Sequence, residues 1–284
     1  MTTVRKYSKL LSIIRQYPSA VIAYSGGLDS AFLAWTAAGI LGRKVLAVTA
    51  AGPTLPAAEL ADSRKTAQQI GVQHLVIKTG QMRDPLFLKN GKDRCYHCKA
   101  YLFRALKKIA VLRGYACVFD GANASDSCDA RPGAVAAKKY GVISPMAAAG
   151  LTKPQIRRLA QRAGLRLWDK PAAACLASRV PFKEKITRAR LARIEAAETL
   201  LKKILGPKAL LRARDHGKIL RIEAARRDLN RFTGPAVARK ITGLKRLGYK
   251  YITLDLEGYI PAGLRNRPET GDRRLETWKT TRQN

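Results

Sequence analysis

Five short apolar runs punctuate the first half of the chain: Val21–Tyr24, Val45–Thr49, His74–Lys78, Cys117–Asp120 and Val142–Pro145. Amphipathic segments lie around them at 28–40, 56–70, 96–113, 131–139 and 152–163, and their spacing predicts helices. Strands separated by helices of this length build βαβ units. The predicted core is therefore a parallel sheet with helices on both faces. Upstream, Leu10, Ile13, Ile14 and Tyr17 share the spacing of a short amphipathic helix packed on that sheet. Ligands of such sheets bind beyond the carboxyl ends of the strands. Ser25, Thr49–Gly52, the 79–95 loop and Gly121–Pro132 all fall at those ends.

The pattern breaks across 170–186, a loop that holds Pro171, Cys175 and Pro181. A long amphipathic helix follows from Thr187 to Leu205, then two strand-like runs, Leu210–Arg214 and Ile219–Glu223. Asp215-His216-Gly217 reads as the hairpin turn between them. A helix over 235–247 and a strand at Tyr251–Leu256 complete a small α+β unit, and the polar tail 264–284 is expected to fray. The expected organisation is an α/β domain over 1–180 and a small α+β domain over 181–284 for substrate binding or oligomerisation.

The chain has 284 residues and a formal net charge of +34, which invites a nucleic-acid reading. Residues 1–180 hold 28 Lys and Arg against 9 Asp and Glu, and residues 181–284 hold 26 against 11. The excess is spread along both parts, with no long basic tail and no interleaved aromatic platform. A polyanionic ligand fits that distribution about as well as RNA does. No apolar run has transmembrane length. Leu10–Arg15 is too short and interrupted for a signal-peptide core. Five cysteines, an odd number, argue against a disulfide framework, and a cytoplasmic protein is expected.

Ser25-Gly26-Gly27-Leu28-Asp29-Ser30 follows the first apolar run and opens a helix. Glycines let a backbone approach a ligand, and a helix N-terminus aims N–H groups and its dipole at an anion. Ser25 and Ser30 add hydroxyls, and no Lys follows the glycines as it would in a Walker A loop. Cys95 and Cys98 form a C-x-x-C, and Cys175 stands apart. A C-x-x-C is equally a zinc half-site, a redox pair, a pair of cluster ligands or two bare thiols. Cys95, Cys98 and Cys175 together would leave a fourth position open for chemistry, unless His97 closes a Cys3His zinc site. Arg94, Lys99 and Arg179 favour thiolates by their charge. Cys117 reads as a small buried strand residue, and Cys128 is ambiguous.

The loop resembles the S-G-G-x-D-S pyrophosphate loop (PP-loop) of the N-type ATP pyrophosphatases. With Pro53–Leu60, Asp93–Lys99, Asp120–Asn123, Asp129–Gly133, Gly141–Pro145, Cys175–Arg179, Arg221–Glu223 and Tyr251–Tyr259, nearly the whole chain resembles the LarE family of ATP-dependent sulfur transferases. The resemblance implies a PP-loop fold of the adenine nucleotide alpha hydrolase type. It implies adenylation of a carboxylate of a pyridinium dicarboxylate mononucleotide and replacement of an oxygen by sulfur, on the route to the nickel-pincer nucleotide. Two sulfur sources occur in the family: a sacrificed cysteine at the position of Cys175, or a [4Fe-4S] cluster on three cysteines. The presence of Cys95, Cys98 and Cys175 favours the cluster.

On that resemblance ATP and Mg²⁺ belong at Ser25, Gly26, Gly27, Asp29 and Ser30, with Asp29 orienting metal or phosphate, although Asp29 also suits a helix cap. Cys175 is the expected catalytic thiol or cluster ligand. Arg179, Arg212 and Arg214 are candidates to hold the substrate phosphate or free carboxylate, or form a solvated basic face. Glu198, Glu223 and Asp228 are candidates for an acidic site. Ala122 and Ser125 depart from the family's usual Thr and Asp. The implied partners are a small nucleotide substrate, a sulfide donor and further copies of the chain, with no membrane. Two alternatives stand beside this reading, a tRNA thiolase and a zinc-stabilised nucleotide-binding protein.

Overall fold

The computed structural model describes residues 1–126, 132–171, 174–207, 209–232 and 235–260. They belong to two compact units, Met1–Glu195 and Ala196–Asn284. In the first unit, strands β1 (Ala20–Ala23), β2 (Val45–Ala51), β3 (Gln73–Lys78) and β4 (Cys117–Phe119) form a parallel sheet in the order β3-β2-β1-β4. Around it run α1 (Thr3–Arg15), α2 (Leu28–Leu41), α3 (Ala57–Ile70), α4 (Pro85–Leu88), α5 (Arg94–Leu112), α6 (Pro132–Lys139), α7 (Pro145–Ala148) and α8 (Lys153–Arg162). Helix α9 (Arg188–Leu205) continues into the second unit.

Every residue of β1 is buried, because both faces of the sheet are covered. Ala20 and Ile22 pack with Leu10 and Ile14 of α1, Phe32 of α2 and Ile156 of α8. Val21 and Ala23 pack on the other face with Phe103 and Leu106 of α5 and Ala136 of α6. The amphipathic N-terminal helix is present, with Leu10 and Ile14 buried. Of the expected fifth strand, Val142–Pro145, only one bridge forms, Phe119 to Ile143. Pro145 stands in the first turn of α7 and ends the extended segment there.

The chain steps outward from β1 through β2 to β3, then crosses back over the sheet to β4 on the other side of β1. The switch point, where such sheets bind ligands, therefore lies at the carboxyl ends of β1 and β4.

In the second unit, β5 (Leu211–His216) and β6 (Ile219–Ala224) pair antiparallel, and β7 (Tyr251–Leu254) joins β6 in parallel. Helix α10 (Pro235–Lys245) completes it around Leu201, Ala213, Leu220, Ile222 and Leu244. His216 pairs with Ile219, so the hairpin turn is Gly217-Lys218, and Asp215 and His216 belong to the strand. Buried Asp215 accepts from the Tyr249 hydroxyl at 3.0 Å, which explains an acid in that strand.

The division between the two compact units falls inside α9, at Glu195–Ala196. Ile186, Leu191 and Ile194 pack with Phe87, Leu176 and Val180, which keeps the start of α9 in the first unit. Cys128 and the tail 264–284 lie outside the described residues. Among those described, no helix is long and apolar enough to cross a membrane.

Candidate active site

The loop between β1 and α2 is shaped by contacts that exclude most residue types. Gly26 has φ +73°, and a Cβ there would stand 2.5 Å from the Cβ of Ser63 on α3. Across the loop, a Cβ on Gly121 would stand 3.0 Å from the Ser30 nitrogen, so the turn after β4 also needs glycine. Ser30 Oγ accepts from the Ser25 N–H at 3.1 Å and donates to the Gly27 carbonyl at 3.1 Å. The two serine hydroxyls lie 3.1 Å apart. Gly27 is the N-cap of α2 and supplies no side-chain acceptor, so the first-turn N–H groups are left for a ligand.

The loop lines a cavity of about 940 Å³. Ser25, Gly27, Asp29 and Ser30 form one part of its wall, Asp120–Ala124 and Asp126 another, and Cys95, Lys99 and Lys138 a third. A volume of this order suits a nucleotide. Asp120 holds the turn after β4 by accepting from Ser144 Oγ at 2.7 Å and from the Ala122 N–H at 3.2 Å.

Asp29 is the charged group of the loop. Its Oδ2 meets Lys153 Nζ at 2.5 Å, while its Oδ1 is buried without a partner. Burial raises its pKa, and Lys153 opposes the rise. An unpartnered buried carboxylate oxygen is a fitting ligand for a hard cation such as Mg²⁺, which takes one or two carboxylates together with phosphate oxygens and water.

Cys95 and Cys98 begin α5, and Cys175 precedes the 176–179 turn. Two residues clasp these segments together. Arg94 Nη1 donates to Asn90 Oδ1 at 2.7 Å and to the Ala177 carbonyl at 3.2 Å. Asn90, fully buried at φ 58°, donates to the carbonyls of Val180 and Pro181. The Leu176 N–H donates to the Thr54 carbonyl at 3.0 Å, so the Cys175 loop also hangs on the segment that carries Leu55 into the cavity wall.

The thiols sense one another. Burial against the Phe87–Leu176 cluster pushes Cys98 up to about 12, with Cys175 and Cys95 adding to the rise and Lys99 and Arg94 opposing it. Cys175 keeps contact with solvent, yet its crowded surroundings raise its pKa. The Ala177 N–H, Arg94 and Arg179 work against that rise. Replacing Arg94 with Ala removes three hydrogen bonds made by a charged donor, to Asn90, the Ala177 carbonyl and Cys95 Sγ. We expect a loss of about 1–3 kcal/mol, seen as a lower melting temperature with faster proteolysis in 170–186. An unchanged melting temperature would show that Arg94 is not the clasp.

Several expected residues take other positions. His97 bonds Asp84 at 3.3 Å and Asp93 at 3.0 Å through its two ring nitrogens, so it does not complete a Cys3His set. Among the described residues, no three His, Cys, Asp or Glu side chains stand at single-ion distance. Arg179 is buried and donates to the carbonyls of Ala174 and Cys175 and to Ser178 Oγ, bracing the thiol's own loop.

In the second unit, Arg212 and Arg214 share a face of β5, as their period-two spacing requires. Arg214 grips buried Glu223 at 2.8 and 3.2 Å. Arg212 lies 3.7 Å from the same carboxylate and donates to Tyr259 and Ile260. Glu198 accepts from the Ala213 N–H at 3.2 Å, and Asp228 meets Arg231 at 3.7 Å.

Sequence reasoning missed Lys153, Asn90 and Asp126. Only the spacing of Thr152 and Gln155, a capping box that starts α8, pointed to a fixed position for Lys153. Ser125 gains a role here, since its hydroxyl accepts from the Lys153 N–H at 2.9 Å.

A parallel sheet covered on both faces, with this loop at its switch point, defines an α/β protein of the PP-loop type. No family model matches the chain. It is 31% identical over 261 residues to pyridinium-3,5-bisthiocarboxylic acid mononucleotide synthase of Lactiplantibacillus plantarum, covering 91% of this chain and 93% of that protein. An uncharacterized protein of Synechocystis is 38% identical over 255 residues, 89% and 94% of the two chains. Another, from Methanocaldococcus jannaschii, is 28% identical over 262 residues, 91% and 99% of the two chains. The chain belongs to the LarE family.

Proposed function

We propose that the protein is an ATP-dependent sulfur transferase of nickel-pincer nucleotide synthesis, acting on a carboxylate of a pyridinium dicarboxylate mononucleotide. One observation carries the reading: a single cavity has the Ser25–Ser30 loop in one wall and Cys95 in another. The two halves of the reaction need those two walls. In the first half, a substrate carboxylate oxygen attacks the α-phosphorus of ATP and pyrophosphate leaves. The α2 N-terminus and the Ser25 and Ser30 hydroxyls stabilise the departing charge, and Asp29 would hold Mg²⁺. In the second half, a sulfur nucleophile in the thiol cleft attacks the acyl carbon. A C–S bond forms, the C–O bond breaks and AMP leaves with the bond pair.

Cys95, Cys98 and Cys175 supply the soft donors that an iron–sulfur cluster takes. Held by those three residues, a [4Fe-4S] cluster would supply an open iron able to carry sulfide. Arg179 keeps Cys175 in place. Arg212 and Arg214, which share a face of β5, are our candidates for the substrate phosphate or free carboxylate.

Protein purified without oxygen is expected to be brown, with iron and labile sulfide in about a four-to-four ratio. A colourless protein that contains zinc would overturn the cluster. Pyrophosphate release should depend on the pyridinium mononucleotide; release that depends on tRNA would overturn the substrate.

A further inference from the structure

Helix α8 brings a second set of charges to the phosphate loop. Its first residue, Lys153, is placed by the Thr152–Gln155 capping box and by Ser125 Oγ, and its Nζ rests on Asp29 Oδ2. Arg157, one turn later on the same helix, acts on Asp29 through its charge and keeps a buried Nε without a partner. Asp126, held by the Asn123 N–H on its Oδ2 at 3.1 Å, lies in the same cavity wall as Asp29 and adds a second negative charge that raises the Asp29 pKa. Two acids and two bases thus form a balanced quartet beside the cavity, with Asp29 and Asp126 in its wall.

Mg²⁺ and ATP entering together would re-pair that quartet. The metal draws on the carboxylates and the polyphosphate draws on the ammonium, so no charge is left without a counterion at either stage. We propose that Lys153 is a counterion switch: it occupies Asp29 in the nucleotide-free protein and transfers to the polyphosphate of ATP, releasing Asp29 to Mg²⁺ only when nucleotide arrives. The inference rests on the reading of the loop as an ATP site. It makes Lys153 a positioning residue, acting on the reaction through Asp29 and the phosphates. Its flexible four-carbon stem suits a change of partner.

The switch has a signature that structural damage lacks. Damage weakens every ligand, whereas removal of a competitor strengthens one ligand and weakens the other. In Lys153→Met at pH 8, Mn²⁺ alone should bind about tenfold tighter than in the wild type, read by electron paramagnetic resonance. ATP with Mg²⁺ should bind about tenfold weaker, read by calorimetry. Lys153→Arg, which keeps the charge, should keep both affinities within about threefold. Mn²⁺ affinity in Lys153→Met that is equal to or weaker than that of the wild type would overturn the switch. If that variant does not fold, Lys153→Gln takes the same test, and loss of both affinities in folded Lys153→Arg would overturn it as well. A wild type that binds no ATP would instead sink the reading of the loop.

Discussion

Replacing Cys175 with Ala is expected to reduce sulfur incorporation by at least about a thousandfold, while pyrophosphate release stays within about tenfold of the wild type. The difference follows from how the loop is built. The backbone of Cys175 is held by bonds that Ala keeps: its carbonyl accepts from Ser178 and Arg179, and the next N–H reaches Thr54. Its side chain opens to solvent and belongs to no apolar cluster, so the substitution removes a thiol without opening a core cavity. Cys98 differs, because it packs against the Phe87 cluster and its loss would cost stability as well as chemistry. Mass spectrometry of the pyridinium product, run beside a pyrophosphate assay, separates the two half-reactions. Sulfur transfer at the wild-type rate in Cys175→Ala would remove Cys175 from the mechanism.

The parts of this site that were legible in the sequence are the local ones. A strand, a glycine turn and a helix are read from adjacent residues, and the structure keeps them within one or two residues of the expected bounds at β1, β2, β4 and α2. The shared face of Arg212 and Arg214 is also local, since it follows from the pleat. What periodicity does not carry is the partner of a polar side chain. Lys153 meets Asp29 across 124 positions and Asn90 meets Pro181 across 91, and no pattern near either residue signals the pairing.

The charge on Arg179 was legible; its use inside the fold was not, because a guanidinium serves a carbonyl as readily as a phosphate. His97 has the same ambiguity, resolved by Asp84 arriving from the preceding helix cap. The fifth strand failed for a different reason. Its apolar run is real, but Pro145 starts a helix before a ladder can form. A break in hydrophobic pattern marks a loop, whereas packing decides which residues cluster together. Ile186, Leu191 and Ile194 fill the cluster beneath the cysteines, so α9 begins as part of the first unit.

The two glycines of the loop look interchangeable in sequence, and the structure separates them. Gly27 has φ −79°, and a Cβ there would meet only Ser25 Oγ, at 3.4 Å, an ordinary contact. Gly26 sits at φ +73°, where a side chain costs about 1–2 kcal/mol from backbone sterics alone. A Cβ there would also stand 2.5 Å from the Ser63 Cβ and 2.7 Å from its Cα, so relief requires the loop or α3 to move. Ser63 is fully buried, and its carbonyl accepts from the Tyr24 hydroxyl at 3.2 Å, so α3 has little room to yield. Any shift of the loop then displaces the Ser25–Ser30 bonds that aim its N–H groups. Gly26→Ala is therefore expected to weaken ATP binding by at least about a hundredfold, a loss of roughly 3 kcal/mol, and Gly27→Ala by less than about threefold. Calorimetric titration of both variants with ATP and Mg²⁺ tests the contrast, with circular dichroism to establish that each is folded. Equal affinities in the two variants would mean that the close approach of α3 does not shape the phosphate site.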